Sequence, residues 1–108
     1  MEDSGSAGMR GTKTGSKTYS DYDSSGNLRW SAKLTGSFTY NGTVSTCTNA
    51  SCTVTISNSA YYVISRSAYA SGNTAYADVT IGCRVLGVTI SSESYSITLT
   101  CDANGNLS

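Results

Sequence analysis

Residues 74–101 read TAYADVTIGCRVLGVTISSESYSITLTC, and their alternation decides the fold class. Ala75, Ala77, Val79 and Ile81 share one parity, and Thr74, Tyr76, Asp78 and Thr80 share the other. Leu86, Val88 and Ile90 then line one face of a second segment, and Tyr95, Ile97, Leu99 and Cys101 line one face of a third. A period of two means one buried face and one wet face, as in a half-solvated antiparallel sheet. On this reading Ser91–Ser94 is a loop that sets Ile90 against Tyr95, Val88 against Ile97 and Leu86 against Leu99.

The same alternation runs back toward the N-terminus. Leu28, Trp30, Ala32 and Leu34 share a parity that Phe38 and Tyr40 continue, with Gly36 inside the strand as a sign of a bulge or bend. Asn41-Gly42 is a strong hairpin signal, because a type I′ turn needs positive φ at both central residues. A two-residue loop there sets Tyr40 against Thr43 and Gly36 against Cys47, with Cys47 pointing inward like Trp30. Cys52, Val54 and Ile56 form the next alternating segment. Tyr61–Ile64 is apolar on both parities, as expected of a central strand covered on both sides or one near a sheet corner. A Gly72-Asn73 loop pairs Ala70 with Ala75, Ala68 with Ala77 and Ile64 with Ile81, all inward. It sets Tyr69 against Tyr76 and Ser67 against Asp78 on the wet face, and leaves Arg66 inward opposite Val79, where it must snorkel at an edge.

The expected fold is therefore all-β: an immunoglobulin-like antiparallel β-sandwich of about seven or eight short strands, with a jelly roll or open barrel as alternatives. Residues 1–10 are Gly/Ser-rich and expected to form a flexible N-terminal arm, leaving 11–108 as a single domain.

Composition narrows the function. The chain has 108 residues, 7 basic and 7 acidic, and no proline. A balanced charge gives no electrostatic support for binding nucleic acid or an anionic membrane. No run of about 18 apolar residues offers a membrane span. Four cysteines, Cys47, Cys52, Cys83 and Cys101, in a small domain with 13% charged residues favour disulfides and a secreted, extracellular location. The first residues lack a signal peptide's basic and apolar regions, so the expectation is a mature secreted chain carrying an added start Met, against a natural cytoplasmic start.

From Leu28 onward the chain resembles a group of short secreted all-β proteins of Gram-positive, largely gut-dwelling Firmicutes. The residues that carry this are Trp30–Gly36, Phe38–Gly42, Ser71–Asn73 and Thr98–Cys101. No biochemistry is assigned to that group, so the resemblance implies a location and no mechanism. It also implies a Cys47–Cys101 bridge, with Cys52–Cys83 as an extra one. A local reading competes, in which Cys47 and Cys52 close a short hairpin loop and Cys83 lies near the partner of Cys101.

The chain contains no histidine, which removes the usual general base, the Ser-His and Cys-His nucleophile systems and most transition-metal sites. Zinc would lack ligands at a suitable spacing. The carboxylates a glycosidase would need must come from Asp21, Asp23, Asp78, Glu93 and Asp102, which read as solvated surface acids. The expectation is a protein that is not an enzyme and holds no cofactor. Asp21, Asp23 and Ser25 at alternate positions before Gly26 match the first half of a calcium loop, but Ala32 stands where the bidentate Glu should be. A plain hairpin turn is the favoured reading of these residues. Asp102-x-Asn104-Gly105 is a similar partial match. Lys33, opposite in parity to Trp30, should face water, which argues against an isopeptide cross-link. The remaining candidate surface is Tyr69, Tyr76 and Asp78, since exposed tyrosines beside small polar groups stack on sugar rings or anchor protein partners. The plain alternative is that a cross-strand aromatic pair only stabilises its sheet. The expected function is a secreted, non-enzymatic binding module for a protein or glycan. The alternatives are a structural envelope domain or a secreted antimicrobial or inhibitor protein.

Overall fold

The computed structural model describes residues 10–108. The expected arm lies outside the described residues except for Arg10, which opens the first strand. Six strands follow: β1 (Arg10–Tyr22), β2 (Leu28–Asn41), β3 (Ser45–Ile56), β4 (Tyr61–Ser71), β5 (Thr74–Val85) and β6 (Val88–Thr100). They form two antiparallel three-stranded sheets, ordered β1-β2-β3 and β4-β5-β6. The strands are fewer and longer than expected, six rather than seven or eight. Both sheets are simple meanders, without the crossovers of an immunoglobulin Greek key.

Alternation places the core. Trp30, Ala32, Leu34 and Phe38 of β2 are buried with Cys47 of β3, and so are Ala75, Ala77, Val79 and Ile81 of β5 with Ile97 and Leu99 of β6. One hydrophobic cluster thus draws on the inward faces of both sheets. Outward positions carry hydroxyls: Ser31, Thr35, Ser37 and Thr39 alternate with the core residues of β2, and Lys33 is exposed among them. Gly36 pairs regularly, and the bulge falls just beyond it, between Ser37 and Phe38. Its own role is close approach: a Cβ there would come within 2.9 Å of the Ala75 Cβ in the other sheet.

Two turns and one bulge differ from the sequence reading. At Asn41 the loop holds four residues, so Tyr40 pairs with Ser45 and Phe38 with Cys47. The Asn41 side chain accepts from the amides of Thr43 and Val44, each at 2.9 Å, which closes the wider loop. The shift is an even number of residues, so Cys47 keeps its inward parity. β3 then runs unbroken through Cys47 and Cys52, so these two do not flank a hairpin loop.

The second difference is larger. The β5–β6 turn lies at Leu86-Gly87, and Ser91–Ser94 is strand. Val85 pairs with Val88, Val79 with Tyr95, Ala77 with Ile97 and Ala75 with Leu99. Leu86 and Gly87 both take positive φ, at 51° and 78°. Every residue from Arg84 to Ser94 is exposed, so this stretch shows no burial pattern. The third is in β4: a bulge between Val63 and Ser65 sets Val63, not Ile64, against Ile81. β4 is an edge strand on which Val63 and Ile64 are exposed, rather than a covered central one.

The two sheets are offset along a long axis; the molecule measures 64 × 26 × 14 Å. Each overhangs the other at one end. Past Gly36, the β2–β3 overhang is covered by the C-terminal loop. There the Gly42 amide donates to the Ala103 carbonyl at 2.7 Å, and buried Gly105 lies under the Tyr40 ring. Cys101 forms a bridge with Leu107. Past Cys83, the β5–β6 overhang has no such cover among the described residues.

Candidate functional site

Tyr69, Tyr76 and Asp78 stand together on the outward face of β4–β6. Tyr69 pairs with Tyr76 and Ser67 with Asp78, the register that the Gly72-Asn73 turn imposes. The two rings stack with centroids 4.8 Å apart and planes 10° from parallel. Tyr69 is 50% exposed and Tyr76 is half-buried. Asp78 accepts from the Ser96 hydroxyl at 2.7 Å, and Thr80 shares a 2.9 Å bond with Ser94. The face is therefore a flat platform of two rings bordered by hydroxyls and one carboxylate. Aromatic faces offer CH–π stacking, while the hydroxyls and Asp78 offer oriented hydrogen bonds.

The acidic turn residues are engaged by their own backbone. Asp23 accepts from the amides of Ser25 and Asn27 at 2.8 and 2.9 Å. Asp102 does the same for Asn104 and Asn106, at 2.8 and 2.9 Å. The amide donors favour the ionised form and hold both carboxyls below the usual range, led in each case by the residue four positions on. Asp21 is paired with Arg29 at 2.9 Å. The calcium-loop residues Asp21, Asp23 and Ser25 therefore form a hairpin with its own hydrogen bonds, and no cluster of three metal-ligating acidic or cysteine side chains occurs among the described residues.

A cluster that sequence reading missed closes the core near the bare end. The Arg29 guanidinium donates to Asp21 and, at 3.2 Å, to the Tyr61 hydroxyl, and lies 5.5 Å from the Tyr61 ring centroid. Tyr95, Tyr19 and Trp30 form a three-ring cluster in which Tyr95 stacks on Tyr19 at 4.8 Å and tilts against Trp30 at 5.0 Å, and the Tyr95 hydroxyl donates to Glu93. That bond to a carboxylate pushes the Tyr95 phenol well above its ordinary range. The cavity these groups enclose is about 60 Å³, room for a few waters and too little for a sugar ring. Asp21 and Glu93 are both occupied by donors, so the cluster works as a polar plug. The available signal was position: Asp21 and Arg29 flank the Asp23–Asn27 turn.

All four cysteines are free thiols. Cys47 and Cys101 are buried in the same cluster, and their amides donate to the adjacent carbonyls of Gly72 and Asn73, at 2.7 and 3.0 Å. Burial, with Asp102 and Cys47 nearby, pushes the Cys101 thiol up. Cys52 and Cys83 are unbonded and lie in different sheets. Cys52 pairs with Leu34 in one sheet, and Cys83 pairs with Tyr61 in the other.

No protein-family profile, curated protein or solved structure matches the chain.

Proposed function

We propose that this is a secreted, non-enzymatic binding module whose contact surface is the outward face of β4–β6. The observation that carries the reading is the stacked Tyr69–Tyr76 pair, which leaves Tyr69 half exposed among small hydroxyls and beside Asp78. Such a surface suits a sugar ring or the flat side of a protein partner at the cell exterior. We read the two sheets as facing layers of a small sandwich, supported by the core cluster shared between them and by the 14 Å thickness. The architecture leaves both outer faces free for contact.

A glycan array, with pull-downs from cell-surface extracts, tests the proposal. A ligand whose affinity falls about tenfold or more in Tyr69→Ala and Tyr76→Ala, with thermal unfolding still cooperative, would support it. A ligand that binds both variants as tightly as the parent would remove this face from consideration.

Export to an oxidising compartment would also join Cys47 to Cys101. The two thiols would lose two protons and two electrons to an oxidant such as a small-molecule disulfide. The bond would add roughly 2–4 kcal/mol of stability. Mass spectrometry of unreduced, oxidatively folded protein should show a loss of two hydrogens and a crosslinked Cys47–Cys101 peptide. Four free thiols after such treatment would contradict the secreted reading.

A further inference from the structure

The bare end of β5–β6 carries an apolar tip that the fold itself does not use. Leu86 is 98% exposed, and Val85, Val88 and Ile90 are 48%, 63% and 62% exposed. All four lie within about 10 Å of the hairpin apex at a strand rise near 3.3 Å per residue. Leu86 also holds φ at 51°, in the left-handed region that Gly, Asn and Asp adopt more readily. The folded chain gains nothing visible from this residue: its side chain is in water and its backbone is strained. Contact with something apolar would offset the exposure of the side chain.

We infer that the Val85–Ile90 tip inserts into the interfacial region of a lipid bilayer, as a shallow anchor rather than a span. Three observations choose this occupant over a second protein. The tip exposes on the order of 400 Å² of apolar surface, about half of the ~800 Å² per partner that a stable protein interface buries. It is convex and projects from the end of the molecule, a shape suited to a fluid and not to a flat partner. Its base has an interfacial character: the Arg84 guanidinium lies 4.0 Å over the Tyr62 ring, and the Tyr62 hydroxyl bonds to Thr89. An arginine on a tyrosine face puts charge and ring at the headgroup level while the aliphatic groups go deeper. Between Arg84 and Ser92 there is no acidic residue to oppose approach. Because Arg84 is the only charge at the tip, binding should depend on apolar burial more than on anionic lipid.

The surface is separate from the tyrosine platform, since Val85 lies nine residues along β5 from Tyr76, about 30 Å.

Flotation with phosphatidylcholine vesicles, with and without phosphatidylglycerol, tests the inference. The parent chain should float with both kinds, with partition within a few-fold of each other. Leu86→Asn suits the left-handed turn and so keeps the hairpin, and it should reduce partition at least tenfold without lowering the melting temperature. Leu86→Met, which keeps an apolar side chain, should retain binding. A parent chain that stays free of both vesicle types would overturn the inference, as would Leu86→Asn binding as well as the parent. Sedimentation showing a dimer that Leu86→Asn alone converts to monomer would also overturn it, in favour of a second copy as the occupant.

Discussion

The two ends of this molecule solve the same problem differently. At each end one sheet extends past the other and offers its inward face to water. At the β2–β3 end the chain returns to cover that face: Gly105 lies under Tyr40, Ala103 accepts from Gly42, and Phe38 is 1% exposed. At the β5–β6 end no described residue returns, and Val85, Leu86, Val88 and Ile90 remain in solvent. A short loop of ordinary turn chemistry is enough to bury an overhang. The other end, uncovered among the described residues, carries the apolar tip that we propose as a contact.

The largest test of that contrast is in the core beneath the cover. Phe38→Ala should cost about 3–5 kcal/mol in urea unfolding, because the cavity forms where neighbouring side chains cannot collapse. A cost near that of a surface substitution would mean that the covered end is not packed as described.

Gly105→Ala comes next, at about 1–3 kcal/mol. Gly105 has φ at 89°, and a new Cβ would lie 2.7 Å from the Tyr40 ring. The loss should appear as faster amide exchange at Gly42 and Cys47, with the β5–β6 tip unchanged. Loosening at both ends together would break the comparison.

Acid should act on the same loop, through Asp102, and on the β1–β2 turn, through Asp23. The depressed carboxyls of Asp23 and Asp102 contribute stability that is present above the unfolded-state value near 4 and is lost as pH falls through the lower folded-state value. Titration below about pH 4 should therefore loosen the Asp102 loop, and Asp102→Asn should flatten that dependence. The smallest effect belongs to the bare tip. Val88→Thr should change unfolding free energy by no more than about 0.5 kcal/mol, since the side chain has little to leave.

The same contrast explains what could be read in advance. The pairing of Tyr69 with Tyr76 was legible because two independent signals agreed: the Gly72-Asn73 turn and the alanine alternation on both sides of it. Trp30, Phe38 and Cys47 were legible as inward for a similar reason, and an error of two residues in the Asn41 loop left parity intact. The β5–β6 turn was not legible. Ser91–Ser94 has the composition of a loop, yet it is strand in an overhang where neither face is buried and alternation carries no information. The real turn places Leu86 where turn chemistry favours Asn or Gly, so it disguised itself as core. The Arg29, Tyr61 and Glu93 cluster needed contacts between the sheets, which no local pattern encodes.

Hydrogen exchange followed residue by residue on the intact chain tests the two-ended account most directly. Amides of Gly42, Cys47 and Cys101 are bonded to distant segments at the covered end, at 2.7 to 3.0 Å, and should be protected along with the core strands. Amides from Leu86 to Ser92 should exchange much faster, and should gain protection when phosphatidylcholine vesicles are added. Equal protection at both ends of the free chain would contradict the account.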